Sequence, residues 1–367
     1  MFVEIHIIQN FAPSCLNRDE SNSPKHCYFG GVCRARISSQ CIKRAMREKV
    51  FPKYLEKINL ATRTLKAAEL IEIELCSRKK PEAEAKIVSK NIMESLIKLD
   101  KNNKSRVLLF LGTDQILALV DLCETNWDTL KVKKINKKSE EYKELKKSSA
   151  DALDGKKAAD LALFGRMIAE LPDKRVDAAS QVAHAISTNQ LKMDFDFFTA
   201  LDEAPSEKKK QGAAFMDTTE FNSACYYRYS NIDVNQLLCN LGFDSELTIE
   251  VIKCFIKASI EAIPKAKQTS MAAQNPPSFI MIVVRDDNLW SLANAFATPI
   301  KNERGRLIGD SITALAKYWA QLKQTYGDSE IKKVALISHD GELSDLSSEQ
   351  VGSVDELITS TINAVII

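Results

Sequence analysis

At 367 residues with 45% hydrophobic content, the chain is long enough to bury one large core or two ordinary ones, which excludes general disorder. Its longest apolar runs, residues 107–111 and 279–284, fall far short of the about 20 residues that cross a bilayer, which excludes a membrane-spanning protein. The 51 Lys and Arg nearly balance the 49 Asp and Glu, so the net charge of +2 does not by itself indicate a nucleic-acid partner.

Nine cysteines are scattered along the chain, an odd number that does not suit a disulfide scaffold. No two of them have the two-residue spacing of a metal knuckle. Cys27 and Cys33 with His26 suggest zinc ligands, but reduced, unconnected thiols are the alternative that we favour. We therefore expect no metal and no cofactor. The start of the chain also lacks the cationic segment of a secretory signal, so we expect a soluble, cytoplasmic protein with no membrane contact.

The chain begins with alternating apolar residues at 2–8, which predict a strand, followed by a loop rich in Pro, Ser and Asn at 10–24. A second alternating segment at 32–37 predicts another strand. Arg34 and Arg36 fall on one face of it, with the apolar residues between them on the other. Both guanidinium groups are therefore expected to face the same way.

Ser38 and Ser39 predict a helix N-terminus, because a serine side chain can accept from the free N–H groups there. The helix would carry one polar, cationic stripe at i, i+3, i+4 and i+7, formed by Gln40, Lys43, Arg44 and Arg47. A helix N-terminus followed by such a stripe suits the phosphates of an extended nucleic-acid strand. The alternative is a solvated helix face, but such faces usually mix signs and residues 24–47 contain no acid, so phosphate contact is favoured.

Periodicity is mainly helical over residues 60–171, with one short strand at 107–111, which predicts a helical insertion. The insertion contains a second basic segment, read as a helix, at 131–147, where three glutamates interrupt the lysines. These lysines could contact the phosphates of a second nucleic acid or form i, i+4 ion pairs on an exposed helix, and the pattern alone leaves both open.

Beyond the insertion, residues 176–187 read as a helix, in which His184 is expected to be a satisfied core histidine rather than a general base. Two alternating stretches at 192–201 and 218–229, joined by a charged linker, predict a projecting hairpin. The rest of the chain alternates predicted helices and strands: helices at 246–263, 309–326 and 353–364, and strands at 279–285 and 334–338.

Three phenylalanines fall on the first stretch of the predicted hairpin. Phe195 and Phe197 share one face and are expected to pack against the protein. Phe198 is then expected to be exposed. An exposed aromatic ring can stack on any base, so it suits a protein that binds RNA of any sequence.

Short motifs recur along most of the chain: SCLNRD at 14–19, FGG at 29–31, RISSQ at 36–40, KRA at 43–45, FGRM at 164–167, AHAIST at 183–188, FFTA at 197–200 and EFNS at 220–223. In this order and spacing they resemble the CasC family, the crRNA-binding backbone subunits of the type I-E CRISPR Cascade complex. The resemblance implies a protein that oligomerises along the crRNA guide and binds its phosphates without sequence preference. It would present the bases for pairing with target DNA in antiviral defence.

The resemblance also implies an α+β fold shaped like a right hand. An RRM-like (ferredoxin-like) palm holds the RNA, a helical fingers domain is inserted into it, and a β-hairpin thumb reaches over the neighbouring subunit's stretch of guide. The palm would comprise residues 1–59, 172–190 and 223–367, the fingers 60–171 and the thumb 191–222. The periodicity indicates the same helical insertion and hairpin.

Residue by residue, the resemblance and the basic strand together give the predicted RNA-binding set: Arg18, Lys25, Arg34, Arg36, Ser38, Gln40, Lys43, Arg44, Arg47, Met167, Phe198, Thr199 and Lys301. Met167 would pack near the bases, and Phe198 and Thr199 would act where the thumb splays them. A finger surface would attract target DNA through Lys131, Lys133, Lys134, Lys137 and Lys138. The implied partners are crRNA, target DNA, further copies of the chain, and the large, small, RNA-capping and RNA-processing subunits of Cascade.

An enzyme is the rival class, because related backbone subunits of type III complexes cut RNA with a loop aspartate. Asp19 lies in an equivalent-looking loop and is the candidate residue for a metal-dependent endoribonuclease. However, a lone carboxylate beside Arg18 is more often an ion-pair partner that orients the arginine. We therefore expect no catalytic activity.

Overall fold

The apolar residues at the start of the chain form a long strand that is buried along most of its length, since it lies inside a large antiparallel sheet. The computed structural model describes residues 1–56, 60–132, 135–154, 158–168, 170–201, 213–302 and 305–365. Within them the strands are β1 (Phe2–Ser14), β2 (His26–Phe29), β3 (Val32–Ile37), β4 (Ala61–Thr64), β5 (Leu109–Gly112), β6 (Ser180–Val182), β7 (Ala185–Ser187), β8 (Asp194–Leu201), β9 (Ala213–Asp233), β10 (Phe279–Arg285) and β11 (Ile331–Ser338).

Helices alternate with these strands, so the prediction of a mixed α and β fold is confirmed. The α-helices of the described residues are α1 (Ser39–Ala45), α2 (Phe51–Tyr54), α3 (Ala67–Ser77), α4 (Glu82–Leu96), α5 (Thr113–Thr125), α6 (Trp127–Leu130), α7 (Glu140–Asp151), α8 (Ala159–Phe164), α9 (Val234–Asn240), α10 (Ser245–Glu261), α11 (Gln268–Met271), α12 (Leu307–Tyr326) and α13 (Val354–Ala364). None of these helices combines the length and the apolar character that crossing a membrane requires.

The chain divides into two compact units, each built from separate stretches of sequence. The first unit comprises Met1–Val50, Val182–Asn231 and Lys253–Ile367. The second comprises Phe51–Gln181 and Ile232–Ile252.

The first unit is organised by the large sheet, whose strands follow the order β11-β10-β1-β9-β7-β3-β2, with β8 also paired to β9. β1 pairs antiparallel with β10 from Phe2 opposite Arg285 to Ile8 opposite Phe279. Phe279, Phe296 and Trp319 are almost fully buried in the core beside this pairing. Burial of these large apolar side chains stabilises the sheet.

The second unit is mainly helical, as the periodicity predicts, with β4 and β5 forming a separate two-stranded sheet. Its core contains Ile71, Val88, Ile92 and Leu119, all fully buried on α3, α4 and α5. These helices pack because each presents an apolar stripe to the others.

Two local predictions are wrong. The segment 176–187, predicted as a helix, contains the short strands β6 and β7. β7 pairs with β9, where Ile186 lies opposite Tyr227. The first and last residues of β7 are buried, and Ile186 between them is half-buried. Tertiary pairing therefore overrides the apparent helical pattern.

The second wrong prediction concerns the loop after β1. β1 continues to Ser14, so the loop predicted from residue 10 begins later.

His6 is a fully buried histidine on β1. Its Nδ1 lies 2.9 Å from the Tyr227 hydroxyl oxygen, which also accepts a hydrogen bond from the Leu292 backbone N–H at 2.9 Å. The Nε2 of His6 has no partner among the described residues. Burial, and secondarily the charge of Arg285, lower the pKa of His6 to about 3.

This buried neutral imidazole predicts a pH dependence of stability. The pKa of His6 is lower in the folded than in the unfolded chain, so the unfolded chain binds the extra proton and stability is lost as pH falls from about 6.5 toward 3. The contribution of His6 is expected to be at most about 1.4 kcal/mol per pH unit. His6→Gln should remove this contribution, measured by urea unfolding at several pH values, and an unchanged slope would contradict a buried neutral His6.

Candidate nucleic-acid interface

Asn17 connects the loop after β1 to the start of α1 by hydrogen bonds. Its Oδ1 accepts from the Ser38 N–H at 2.9 Å, and its carbonyl accepts from the Lys25 N–H at 2.8 Å. The carbonyl of Lys25 in turn accepts from the Arg36 N–H at 2.9 Å. The exposed Arg18 and the half-buried Lys25 are therefore held beside the start of the basic helix.

Asp19 shapes the turn that presents Arg18. Its Oδ1 accepts from the Ser21 N–H at 2.9 Å, the Ser21 hydroxyl at 2.7 Å and the Ser23 N–H at 3.1 Å. These hydrogen bonds, that of the Ser21 hydroxyl foremost, lower the pKa of Asp19. Arg18 donates from Nη1 to Oδ1 of Asn22 at 3.1 Å across the same turn. Asp19 thus has a structural role in the loop.

The predicted N-cap is confirmed, because Ser38 accepts a hydrogen bond from the Cys41 N–H. The Ser38 side chain is almost fully buried, so it shapes the helix start and presents little surface to a ligand. α1 continues as a π-helix at Met46–Val50. Ile42, Ala45 and Met46 are buried.

The polar stripe of α1 and the following turn is exposed at Gln40 and Arg44 and half-buried at Lys43 and Arg47. Arg44 forms an ion pair with Glu48 at 2.6 Å. Glu48 lies one residue beyond the acid-free segment, at i+4 from Arg44, a spacing that favours an ion pair on a helix. Exposed i, i+4 pairs contribute little free energy, so Arg44 can exchange this partner for a phosphate at small cost.

Arg34 is a correction to the predicted RNA-binding set. Its side chain is fully buried, so it cannot meet a phosphate on the surface. The guanidinium donates instead to five backbone carbonyls at 2.7–3.3 Å, those of Phe29, Ser187, Thr188, Phe296 and Ala297. The segment around residues 296–297 supplies two of these acceptors although it lies about 260 residues away in sequence. We therefore assign Arg34 to the core.

Arg36, on the same strand, lies in a polar cluster that sequence reasoning missed. It donates from Nε to the His26 carbonyl at 3.2 Å, and its Nη1 lies 3.1 Å from Nδ1 of His184. His184 is exposed, so its prediction as a core histidine is wrong. Desolvation of the ring by its neighbours, then the charges of Arg36 and Lys25, lower the pKa of His184, which favours the neutral ring as acceptor.

The hairpin stretches pair as predicted, with β8 antiparallel to β9. The predicted packing of Phe195 and Phe197 is wrong, because each is 65% exposed, whereas Phe198 is 38% exposed. In the described residues β8 pairs only with β9, and the core does not cover the face that carries Phe195 and Phe197. Thr199, beside Phe198, is exposed.

Two other predicted RNA-binding residues, Met167 and Lys301, are exposed. Met167, in the second unit, is 80% exposed. Lys301, in the first unit, lines a cavity of about 680 Å³ together with Lys192 and Arg306. The three basic side chains give that cavity a positive character.

The predicted lysine helix from Lys131 is wrong, because α7 begins only at Glu140. Lys131 and Lys137 form ion pairs with Asp128 at 2.6 Å and Glu94 at 3.2 Å, and Lys138 is exposed. The other two lysines of this set lie outside the described residues: Lys133 and Lys134.

All nine cysteines are unbridged, including Cys27 and Cys33. Across the described part of the chain, no group of three or more His, Cys, Asp or Glu side chains is arranged to hold a metal ion. The candidate interface therefore consists of basic and aromatic side chains.

Fold and site together define a mixed α and β protein whose large antiparallel sheet carries exposed basic side chains around β3 and α1. The family model of the CT1975-like proteins matches residues 3–363, and the chain belongs to this family. A solved chain of a "CRISPR RNA-guided surveillance complex, pre-nicking" is 29% identical, with a TM-score of 0.87 and complete coverage of both chains. A second, of a "CRISPR RNA-guided surveillance complex", shares the fold at 24% identity and a TM-score of 0.77, again over all of both chains. No curated protein matches the chain.

Proposed function

We propose that the chain is the crRNA-binding backbone subunit of a type I-E CRISPR Cascade complex, of the CasC type. Copies of it oligomerise along the guide RNA and leave the bases free to pair with target DNA. Membership of the CT1975-like family and the full-length match to a surveillance-complex chain support this proposal. The observation that carries it is the group of basic residues at the start of α1, where Asn17 connects the backbone of the loop at Lys25 to that of the helix N-cap Ser38.

In this proposal the hand-shaped fold is distributed over the two units. The first unit, with the large sheet, is the RRM-like palm, and the mainly helical second unit is the fingers. The β8–β9 hairpin is the thumb that reaches a neighbouring copy. The position of residues 51–181 between two stretches of the first unit supports an inserted fingers domain.

The guide is bound through its phosphates, which carry no sequence information. The cations that serve this role are Arg18, Lys25, Arg36, Lys43, Arg44, Arg47 and Lys301, with Gln40 as an additional donor. Backbone hydrogen bonds of the loop fix the positions at which the side chains of Arg18 and Lys25 leave the main chain, which supports their contact with an extended strand. Sequence-independent affinity is what a protein that coats many different guides requires.

The bases are contacted by apolar side chains, with Met167 packing near them and Phe198 and Thr199 at the thumb. Phe198→Ala is expected to weaken guide binding by about 1–3 kcal/mol per subunit if the ring stacks on a base. Fluorescence anisotropy with a labelled guide measures the loss. Phe195→Ala, which removes a more exposed ring from the same strand, is the comparison: it should leave guide affinity unchanged and change the free energy of unfolding by less than about 0.5 kcal/mol. An equal loss of RNA affinity in both variants would contradict the assignment to Phe198.

Target DNA is proposed to approach the second unit at Lys131, Lys137 and Lys138, which lie on its surface. Ion pairs with acids on this surface are exposed and can be exchanged for phosphates. The remaining proposed partners are the other subunits of Cascade: its large, small, RNA-capping and RNA-processing chains.

We propose further that the chain has no nuclease activity of its own. The three hydrogen bonds to Oδ1 of Asp19 support a structural role for this carboxylate. Assembled complexes are expected to leave complementary RNA and DNA uncut in magnesium or manganese, and Asp19→Ala is expected to lower guide affinity by releasing the Arg18 turn. Gel assays of cleavage check this, and cutting at regular intervals that Asp19→Ala abolishes would make the chain a ribonuclease.

The experiment that tests the proposed function is copurification. The chain, expressed with its genomic neighbours and a CRISPR array, should carry a short RNA of uniform length. RNA of random length, or none, would contradict the proposal.

A further inference from the structure

A second cavity, of about 450 Å³, lies in the first unit between the loop after β10 and the C-terminal part of α12. Tyr318, Leu322 and Tyr326 line it from one flank of α12, where a spacing of four residues stacks side chains along the helix. Trp290 lines it from the loop. Tyr326 is 71% exposed, so an aromatic surface is open to solvent here.

The tryptophan of this cavity is held rigidly. The Arg285 guanidinium lies 4.2 Å from the Trp290 ring centroid, and the Trp319 ring meets Trp290 edge-on with centroids 5.4 Å apart. Glu4, which forms a buried ion pair with Arg285, accepts a hydrogen bond from the backbone N–H of Trp290 at 2.8 Å. A ring fixed in this way loses little entropy when a ligand binds.

Acidic side chains surround the aromatic cavity. Asp286 and Asp328 form ion pairs with lysines at 2.9 and 3.3 Å. Asp287 and Glu330 have no ion-pair partner among the described residues, and Glu330 lines the cavity. Since Glu4 neutralises Arg285, the surroundings of the cavity carry a net negative charge. This charge repels phosphates and attracts cations.

We propose that this cavity is a docking site for a lysine or arginine side chain on a partner protein. The faces of Tyr318 and Tyr326 attract a cation through the ring quadrupole, and the Glu330 carboxylate supplies an opposite charge in the same lining. Tyrosine and tryptophan are also the residue types that dominate the binding energy of protein interfaces. The cavity lies beside β10, near one end of the strand order of the sheet, whereas the basic cluster lies at β3, near the other end. The proposed docking site is therefore distinct from the proposed RNA-binding residues.

The test uses the full chain labelled with ¹⁵N at its three tryptophans, so that each indole N–H gives its own NMR signal. The signal of Trp290 is assigned with Trp290→Phe. The probes are an acetylated, amidated Gly-Arg-Gly peptide and the same peptide with citrulline, which has the same shape without the charge. The arginine peptide should shift the Trp290 signal saturably, and the citrulline peptide should not.

Glu330→Gln and Tyr326→Ala should each weaken the arginine peptide about threefold to tenfold, because each removes one source of attraction. Tyr28→Ala, which removes an exposed tyrosine from β2, is the matched control and should change nothing. Equal shifts with both peptides, or none with either, would overturn the proposal. A shift of Trp290 by uridine monophosphate instead of the arginine peptide would also overturn it, since it would indicate a nucleotide site. None of these outcomes depends on whether the chain binds guide RNA.

Discussion

Arg34→Met is expected to lower the free energy of unfolding by about 3–5 kcal/mol, because each buried carbonyl left unsatisfied costs about 1–3 kcal/mol, offset in part because the variant no longer buries a charge. The methionine fills much of the same volume but donates no hydrogen bonds. The five carbonyls that Arg34 holds would then lose this donor inside the protein, where water cannot replace it. Urea unfolding followed by circular dichroism measures the change.

Arg36→Met is the matched control, because it makes the same substitution two residues along β3 at a partly exposed side chain. Its effect on stability should stay below about 1 kcal/mol. It should instead weaken RNA binding, which Arg34→Met leaves unchanged in the folded fraction. If Arg34→Met were as stable as the wild type and lost RNA affinity, the original prediction of a surface role for Arg34 would be right.

Replacing Lys43, Arg44 and Arg47 together by alanine is the second large expected effect. Three lost phosphate contacts at about 0.7 each should reduce the slope of log affinity against log salt by roughly 2. If the wild type and the triple variant bind equally at 1 M salt, this change in slope makes the affinity of the variant about 100-fold lower at 0.1 M salt. The loss should be the same for unrelated guide sequences, because phosphates are the same in all of them.

A second triple variant controls for the change in net charge. Lys143, Lys146 and Lys147 are exposed on α7, and their replacement by alanine removes the same three charges from another helix. Anisotropy titrations with labelled guide RNA across a range of salt concentrations compare the two variants. The α7 variant should retain the wild-type slope; equal slopes in all three proteins would exclude α1 as a phosphate-binding surface.

Features set by neighbouring residues could be predicted from the sequence. The N-cap at Ser38, the buried face of α1 and the strand β10 follow from local periodicity and capping chemistry, and the structure contains them. The helical character of residues 60–171 is also a local property. The hairpin could be predicted because both its strands alternate and lie close in sequence.

What could not be predicted depends on distant partners. Strand alternation places Arg34 and Arg36 on one face, but only the segment around residue 296 decides that Arg34 is buried. The pairing of β7 with β3 brings His184 to Arg36 across 148 residues of sequence. Strand alternation places Phe195 and Phe197 on one face, but no local signal shows that the core leaves this face uncovered.

The most direct test of the central claim is to count the copies of this chain on guides of different length. Complexes are purified from cells that express the chain with its genomic neighbours and arrays whose spacers differ in length and sequence, and native mass spectrometry gives the stoichiometry. Under the proposed function, the number of copies should rise with guide length and be the same for unrelated spacers of equal length. A fixed copy number on every guide, or a number that follows spacer sequence instead of length, would contradict it.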